Sequence, residues 1–75
     1  MRLKTKKIID ILSDDGWVLC NQEGSHAQYK HPTKKGKVTV PMHGMNEMLD
    51  HPLVGSIFRQ AAIDMNKVKK ELKHQ

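Results

Sequence analysis

Residues 23–32 read Glu23-Gly24-Ser25-His26-Ala27-Gln28-Tyr29-Lys30-His31-Pro32, two histidines and a lysine within one short stretch. An imidazole exchanges protons near neutrality, its unperturbed value being about 6.5. RNA carries its own nucleophile, the 2′-hydroxyl, which attacks the adjacent phosphorus once its proton is removed. A basic surface with one histidine can therefore cut RNA without a metal. His26 would serve as acid or base, and Lys30 or Lys37 would stabilise charge on the phosphorane. DNA lacks that hydroxyl and would resist. The same residue types also suit an ordinary solvated strand face, so the direction in which His26 points has to be settled first.

Side chains alternate along a strand. In residues 25–31, Ala27 and Tyr29 suit a core, so His26, Gln28 and Lys30 share the opposite face. Val38 and Val40 play the inward part in residues 37–41, which adds Lys37 and Thr39 to the outer face. His31 has the other parity and ends its strand beside Pro32, a structural position and a poor partner for His26. Lys34 and Lys35 lie in the turn between these strands, where Pro32 and Gly36 supply turn chemistry. The preceding strand, residues 17–22, leaves two parities open. Either Trp17 with Leu19 or Val18 with Cys20 can face inward, and a bulge near residues 21–24 would decide between them.

Helices must cover the inward face. Residues 5–16 read as the first, with Thr5 as N-cap, Ile8, Ile11 and Leu12 at helical spacing, and Gly16 just past the end. Asp14 and Asp15 oppose the helix dipole, so the last turn is expected to fray. Residues 42–50 lack a period and read as a loop. Pro52 suits the first position of a second helix capped by Asp50 or His51, with Val54, Ile57, Phe58 and Ala61 as its apolar stripe. Asp64 would cap a short third helix bearing Met65, Val68 and Leu72 on a lysine-rich background, an end that reads equally as a frayed tail. The fold class is thus α+β in the order α-β-β-β-α. Its three-stranded antiparallel sheet has helices on one face and the other face open to water.

A chain of 75 residues makes one domain with a modest core and no room for a deep cleft. Its formal net charge is +5, and the cations cluster. Arg2, Lys4, Lys6 and Lys7 lie early, Lys30, Lys34, Lys35 and Lys37 surround one turn, and Lys67, Lys69, Lys70 and Lys73 crowd the end. Such clustering suits a polyanion, since each phosphate neutralised releases counterions. Cys20 is the single cysteine. It excludes an internal disulfide and a cysteine zinc site, and a reducing cytoplasm is the expected setting. The histidines form no metal-ligand motif, so no metal and no cofactor is expected. No stretch has the length of a membrane span or the pattern of a secretory leader, so no membrane partner is expected.

Several segments together resemble the HicA family of toxins. They are Gly16-Trp17 after a short helix, Gly24-Ser25-His26 with Tyr29-Lys30-His31-Pro32, Gly36 with Val38-Thr39-Val40-Pro41 and His43, and Ser56-Ile57 with Gln60-Ala61. The likeness covers about residues 5–63, leaving residues 64–75 as a basic extension. It implies a double-stranded-RNA-binding-domain-like fold and a metal-independent endoribonuclease acting on mRNA, with His26 catalytic. Gln28, Lys30, Lys34, Lys35 and Lys37 would then contact RNA, with His43 as a candidate helper. The resemblance also implies a HicB-type antitoxin that masks His26, with operator DNA bound only indirectly through the antitoxin complex. The chain departs from the family pattern at Ala27, over residues 50–53, and at Ala62, where glycine is common. Two other roles fit the same residues: a non-catalytic RNA-binding module of this fold, and a protein-interaction partner whose basic face meets an acidic antitoxin.

Overall fold

A computed structural model describes residues 2–73. The terminal residues 74 and 75 of the basic extension lie outside the described residues. The elements are β1 (Arg2–Lys4), α1 (Thr5–Asp14), β2 (Val18–Glu23), β3 (His26–Lys30), β4 (Val38–Pro41), β5 (Met48–Asp50), α2 (Leu53–Gln60) and α3 (Met65–Lys73). The expected α-β-β-β-α order is therefore present, from α1 to α2, with an antiparallel sheet ordered β2-β3-β4. Alternation along β3 and β4 is clean. Ala27, Tyr29, Val38 and Val40 are buried, while the residues between them stay exposed or half-exposed. They join Ile8, Ile11 and Leu12 of α1, Val54, Ile57 and Phe58 of α2 and Val68 of α3 in one core.

Both main helices end in the same way. At α1, the Trp17 N–H donates to the Leu12 carbonyl at 3.0 Å and the Gly16 N–H to that of Ser13 at 3.0 Å. At α2, the Ile63 N–H reaches the Phe58 carbonyl at 2.9 Å and the Ala62 N–H that of Arg59 at 3.1 Å. These are Schellman closures, which need a left-handed residue at the reversal. Gly16 provides it at φ +104°, as expected, and Ala62 provides it at φ +53° despite its Cβ. Each closure brings a buried apolar pair together, Leu12 with Trp17 and Phe58 with Ile63.

Three local expectations are corrected. Thr5 is not an N-cap but the first helical residue, fully buried, and Lys4 occupies the cap position with no side-chain bond. The first-turn donors instead find carbonyls of a distant segment. Thr5 N–H and Oγ1 both donate to Glu47 O, at 2.9 and 3.1 Å, and Lys6 N–H donates to Met45 O at 3.0 Å. Residues 42–50 are accordingly not all loop. Met48–Asp50 forms β5 and pairs antiparallel with β1, which buries Leu3 against Leu49 and sets Arg2 Nε 2.7 Å from Asp50 Oδ1. Asp50 is thereby taken out of the capping role expected for it. Pro52 holds the N-cap position of α2, and neither Asp50 nor His51 makes a side-chain cap bond. Asp64 does cap α3, its Oδ1 accepting from Asn66 N–H at 2.9 Å.

The two closures respond in opposite directions to substitution. A Cβ on Gly16 would lie 2.8 Å from His31 Nε2 in addition to its left-handed strain, so Gly16→Ala should destabilise by roughly 3 kcal/mol. Ala62→Gly should stabilise by about 0.5–1 kcal/mol, because relief of the left-handed penalty outweighs the added unfolded-state entropy. Thermal unfolding should show a lower midpoint for the first variant and a midpoint a few degrees higher for the second.

Candidate nucleic-acid interface

The open face is built by register. A two-residue turn at Gly24-Ser25, with Gly24 at φ +57°, joins β2 to β3 and sets Glu23 opposite His26. Gln22 then pairs with Ala27 and Asn21 with Gln28, before the register slips at Cys20 and resumes with Leu19 opposite Tyr29 and Val18 opposite Lys30. On the other side, Pro41 faces His26 and Thr39 faces Gln28. The slip is the bulge anticipated from sequence, moved back to Cys20. It lets Trp17 and Leu19 take the core side while Asn21 and Glu23 emerge on the open side. Trp17 is 2% exposed and settles the parity left open by the sequence. Leu19 stays 50% exposed because the helices do not reach over this edge strand.

His26 is exposed on this face, and no hydrogen bond to its ring is present among the described residues. Gln28 and Thr39 are half-buried beside it, and the Thr39 N–H at the free edge of β4 donates to Gln60 Oε1 at 3.4 Å. Lys30 and Lys37 are exposed at the far end of the face. Lys30 lies four positions beyond His26, a span of roughly 13 Å at strand rise. No hydrogen bond joins either lysine to the His26 ring among the described residues, and each lysine side chain is long enough to reach back along the face. His43 follows Met42, whose N–H bonds Ser25 O at 2.5 Å. That leaves His43 exposed near the His26 end of the sheet, without a bond between the two rings.

Lys34, expected among the RNA contacts, has a different role. Its ammonium lies 2.5 Å from Asp15 Oδ2 and donates to the carbonyls of Ala61 and Ala62, at 3.0 and 3.1 Å. All three of its donors are used inside the protein, across the C-terminal ends of α1 and α2. Asp15 also accepts from Trp17 Nε1 at 3.2 Å, so the carboxylate expected to fray the helix end instead anchors it. His31 completes the cluster. Its Nδ1 accepts the N–H groups of Thr33 and Lys34, at 3.1 and 3.0 Å, so its proton sits on Nε2 and is donated to Asp15 O at 2.7 Å. The ring meets Trp17 edge-on, with centroids 5.2 Å apart. Lys35, the next residue after Lys34, is exposed.

Other features lie apart from the open face. Tyr29 points into the core, and burial raises its phenol above the usual value of 10.0. A cavity of about 560 Å³ lies between β5 and α2, lined chiefly by Met48, Leu49, Pro52, Leu53, Ser56 and Arg59, and none of the open-face residues borders it. Among the described residues no three histidine, cysteine or carboxylate side chains converge as metal ligands. Glu23, which lies beyond the strand expected at residues 17–22, is the open-face residue that the sequence does not point to. Hairpin arithmetic was the available signal, since a two-residue loop always sets its flanking residues opposite one another.

The family model described as "HicA toxin of bacterial toxin-antitoxin" matches residues 5–63, the span that holds both main helices and the whole three-stranded sheet. The chain belongs to the HicA toxin family. Among curated proteins no sequence matches it. Membership makes it a toxin of a toxin–antitoxin pair and implies an antitoxin partner. Among the described residues no helix is long and apolar enough to cross a membrane.

In this HicA toxin adjacent lysines should behave differently. Lys34→Ala strands two helix-end carbonyls and the half-buried Asp15, and should lower stability by about 2 kcal/mol. Lys35→Ala should stay within about 0.5 kcal/mol of wild type. Urea unfolding of the two variants measures the contrast.

Proposed function

We propose that this HicA toxin is a metal-independent endoribonuclease that cleaves mRNA with His26 as its catalytic acid/base, and that a HicB-type antitoxin neutralises it by covering the open face. The observation that carries this reading is the placement of His26: exposed, without a hydrogen bond to its ring among the described residues, and on the central strand of a sheet whose far end is cationic. His26 takes the proton of the 2′-hydroxyl as the 2′-oxygen bonds to phosphorus. The bond from phosphorus to the 5′-oxygen then breaks, and that oxygen receives a proton from water or from a second acid such as His43. Gln28 offers an amide donor about 7 Å along the strand from His26. Lys30 and Lys37, with Lys35 beside them, hold flanking phosphates and so position the strand. The cytoplasm is the setting that mRNA as substrate requires. Operator DNA would be met only through the antitoxin complex.

A flat face on one small sheet suits a substrate that is itself extended. It also suits inhibition by simple occlusion, since a partner that lies on the sheet removes His26 and the phosphate contacts together. The net charge of +5 favours an acidic antitoxin surface for the same reason that it favours RNA.

Two measurements test the reading. Wild-type protein should cut single-stranded RNA in EDTA, and His26→Ala, with an unchanged circular dichroism spectrum, should lose at least about 100-fold in rate. Undiminished cleavage by the variant contradicts the assignment, and salt-sensitive binding without any cleavage by wild type would mark a non-catalytic RNA-binding module. Lys37→Ala should keep its stability but bind RNA more weakly. Its plot of log affinity against log salt should be shallower by about 0.7, the contribution of one phosphate contact on a single strand.

A further inference from the structure

Glu23 is out of place on a surface meant for RNA. A carboxylate there repels phosphates and subtracts from the attraction that the lysines supply. Yet the turn and the bulge at Cys20 together deliver it to the open face, opposite the imidazole. Directly paired residues of an antiparallel ladder have Cβ atoms about 5 Å apart, within reach of a glutamate and a histidine. Asn21, two residues away on the same face, steadies the carboxylate through a long bond from Nδ2 to Oε1 at 3.4 Å. The second oxygen is left for another donor. Pro41, on the other side of His26, has no polar side-chain atom to compete. The remaining charged or titratable groups of this face are Lys30 and Lys37 at its far end and His43 beyond β4, so Glu23 is the one carboxylate in register with the ring among the described residues.

Building on the nuclease reading above, we infer that Glu23 is a positioning residue for His26. The two exposed side chains are not bonded in the structure, and rotation about their side-chain torsions lets the carboxylate accept a hydrogen bond from one ring nitrogen, which keeps the lone pair of the other turned outward to take the proton of the 2′-hydroxyl. When that proton arrives, the anion beside the ring stabilises the imidazolium. Asn21 orients Glu23 as Glu23 orients His26, so the three residues form a relay across two strands.

The relay makes opposite demands on binding and turnover, and that separates it from a plain charge effect. Glu23→Ala removes a negative charge from the RNA face, so KM should stay the same or fall about twofold. The same variant should lower kcat about tenfold, a part of the 100- to 10,000-fold that a positioned acid or base supplies. Glu23→Asp, which keeps the carboxylate, should recover part of that loss. A second arm needs no activity: long-range proton–nitrogen NMR of the ring nitrogens of His26, recorded at about pH 8 where imidazoles are neutral. Wild type should show one dominant tautomer, and Glu23→Ala should move toward the mixture of a free imidazole. Identical tautomer signals in the two proteins overturn the inference. So does an unchanged kcat, or a change confined to KM. Should wild type cut no RNA, the nuclease reading falls, and the NMR arm still decides whether Glu23 orients His26.

Discussion

The Asp15 residue ties together four segments that would otherwise end independently. Its carboxylate receives Lys34 Nζ and Trp17 Nε1, and its backbone carbonyl receives His31 Nε2. Lys34 in turn reaches the carbonyls that close α2. The end of α1, the start of β2, the connection from β3 to β4 and the end of α2 are thereby held at one point. That connection spans residues 31–37 and carries Lys34, Lys35 and Lys37. With His31 and Lys34 pinned inward, Lys35 and Lys37 are left facing water. The Asp15 cluster thus decides which of these lysines are exposed.

Above that anchor, the open face is a consequence of parity. Ala27 and Tyr29 are held in by the core, so His26, Gln28 and Lys30 are held out. The register slip at Cys20 is the less obvious half of the arrangement. Without it, a β2 strand that keeps Trp17 and Leu19 on the core side would carry Asn21 and Glu23 inward as well. With it, the core keeps its largest side chain and the open face acquires an amide and a carboxylate. Burial and chemistry are reconciled within one strand at the cost of a single unpaired residue.

Strand alternation and helix stripes were legible in the sequence because buried positions there are aliphatic or aromatic at regular spacing. Ala27, Tyr29, Val38 and Val40 gave the sheet face, and Val54, Ile57, Phe58 and Ala61 gave the stripe of α2. The β1–β5 ribbon was not legible, since three residues per strand show no period and their partners lie far apart in the chain. For the same reason Thr5 looked like a cap: its true acceptor, Glu47 O, is tertiary. Lys34 and Lys35 are chemically identical neighbours, and only the position of Asp15 distinguishes them. The place of His26 on the open face followed from strand alternation, whereas that of Glu23 required a register that composition does not reveal.

In the proposed cleavage the substrate supplies the nucleophile and the face supplies His26. An RNA oligonucleotide with a single 2′-deoxy substitution at the nucleotide 5′ to a mapped cleavage site tests it most directly. Cleavage at that site should vanish while neighbouring sites are still cut, because His26 has no hydroxyl from which to take a proton. Continued cleavage at the substituted site would mean that water attacks instead, and would contradict the account.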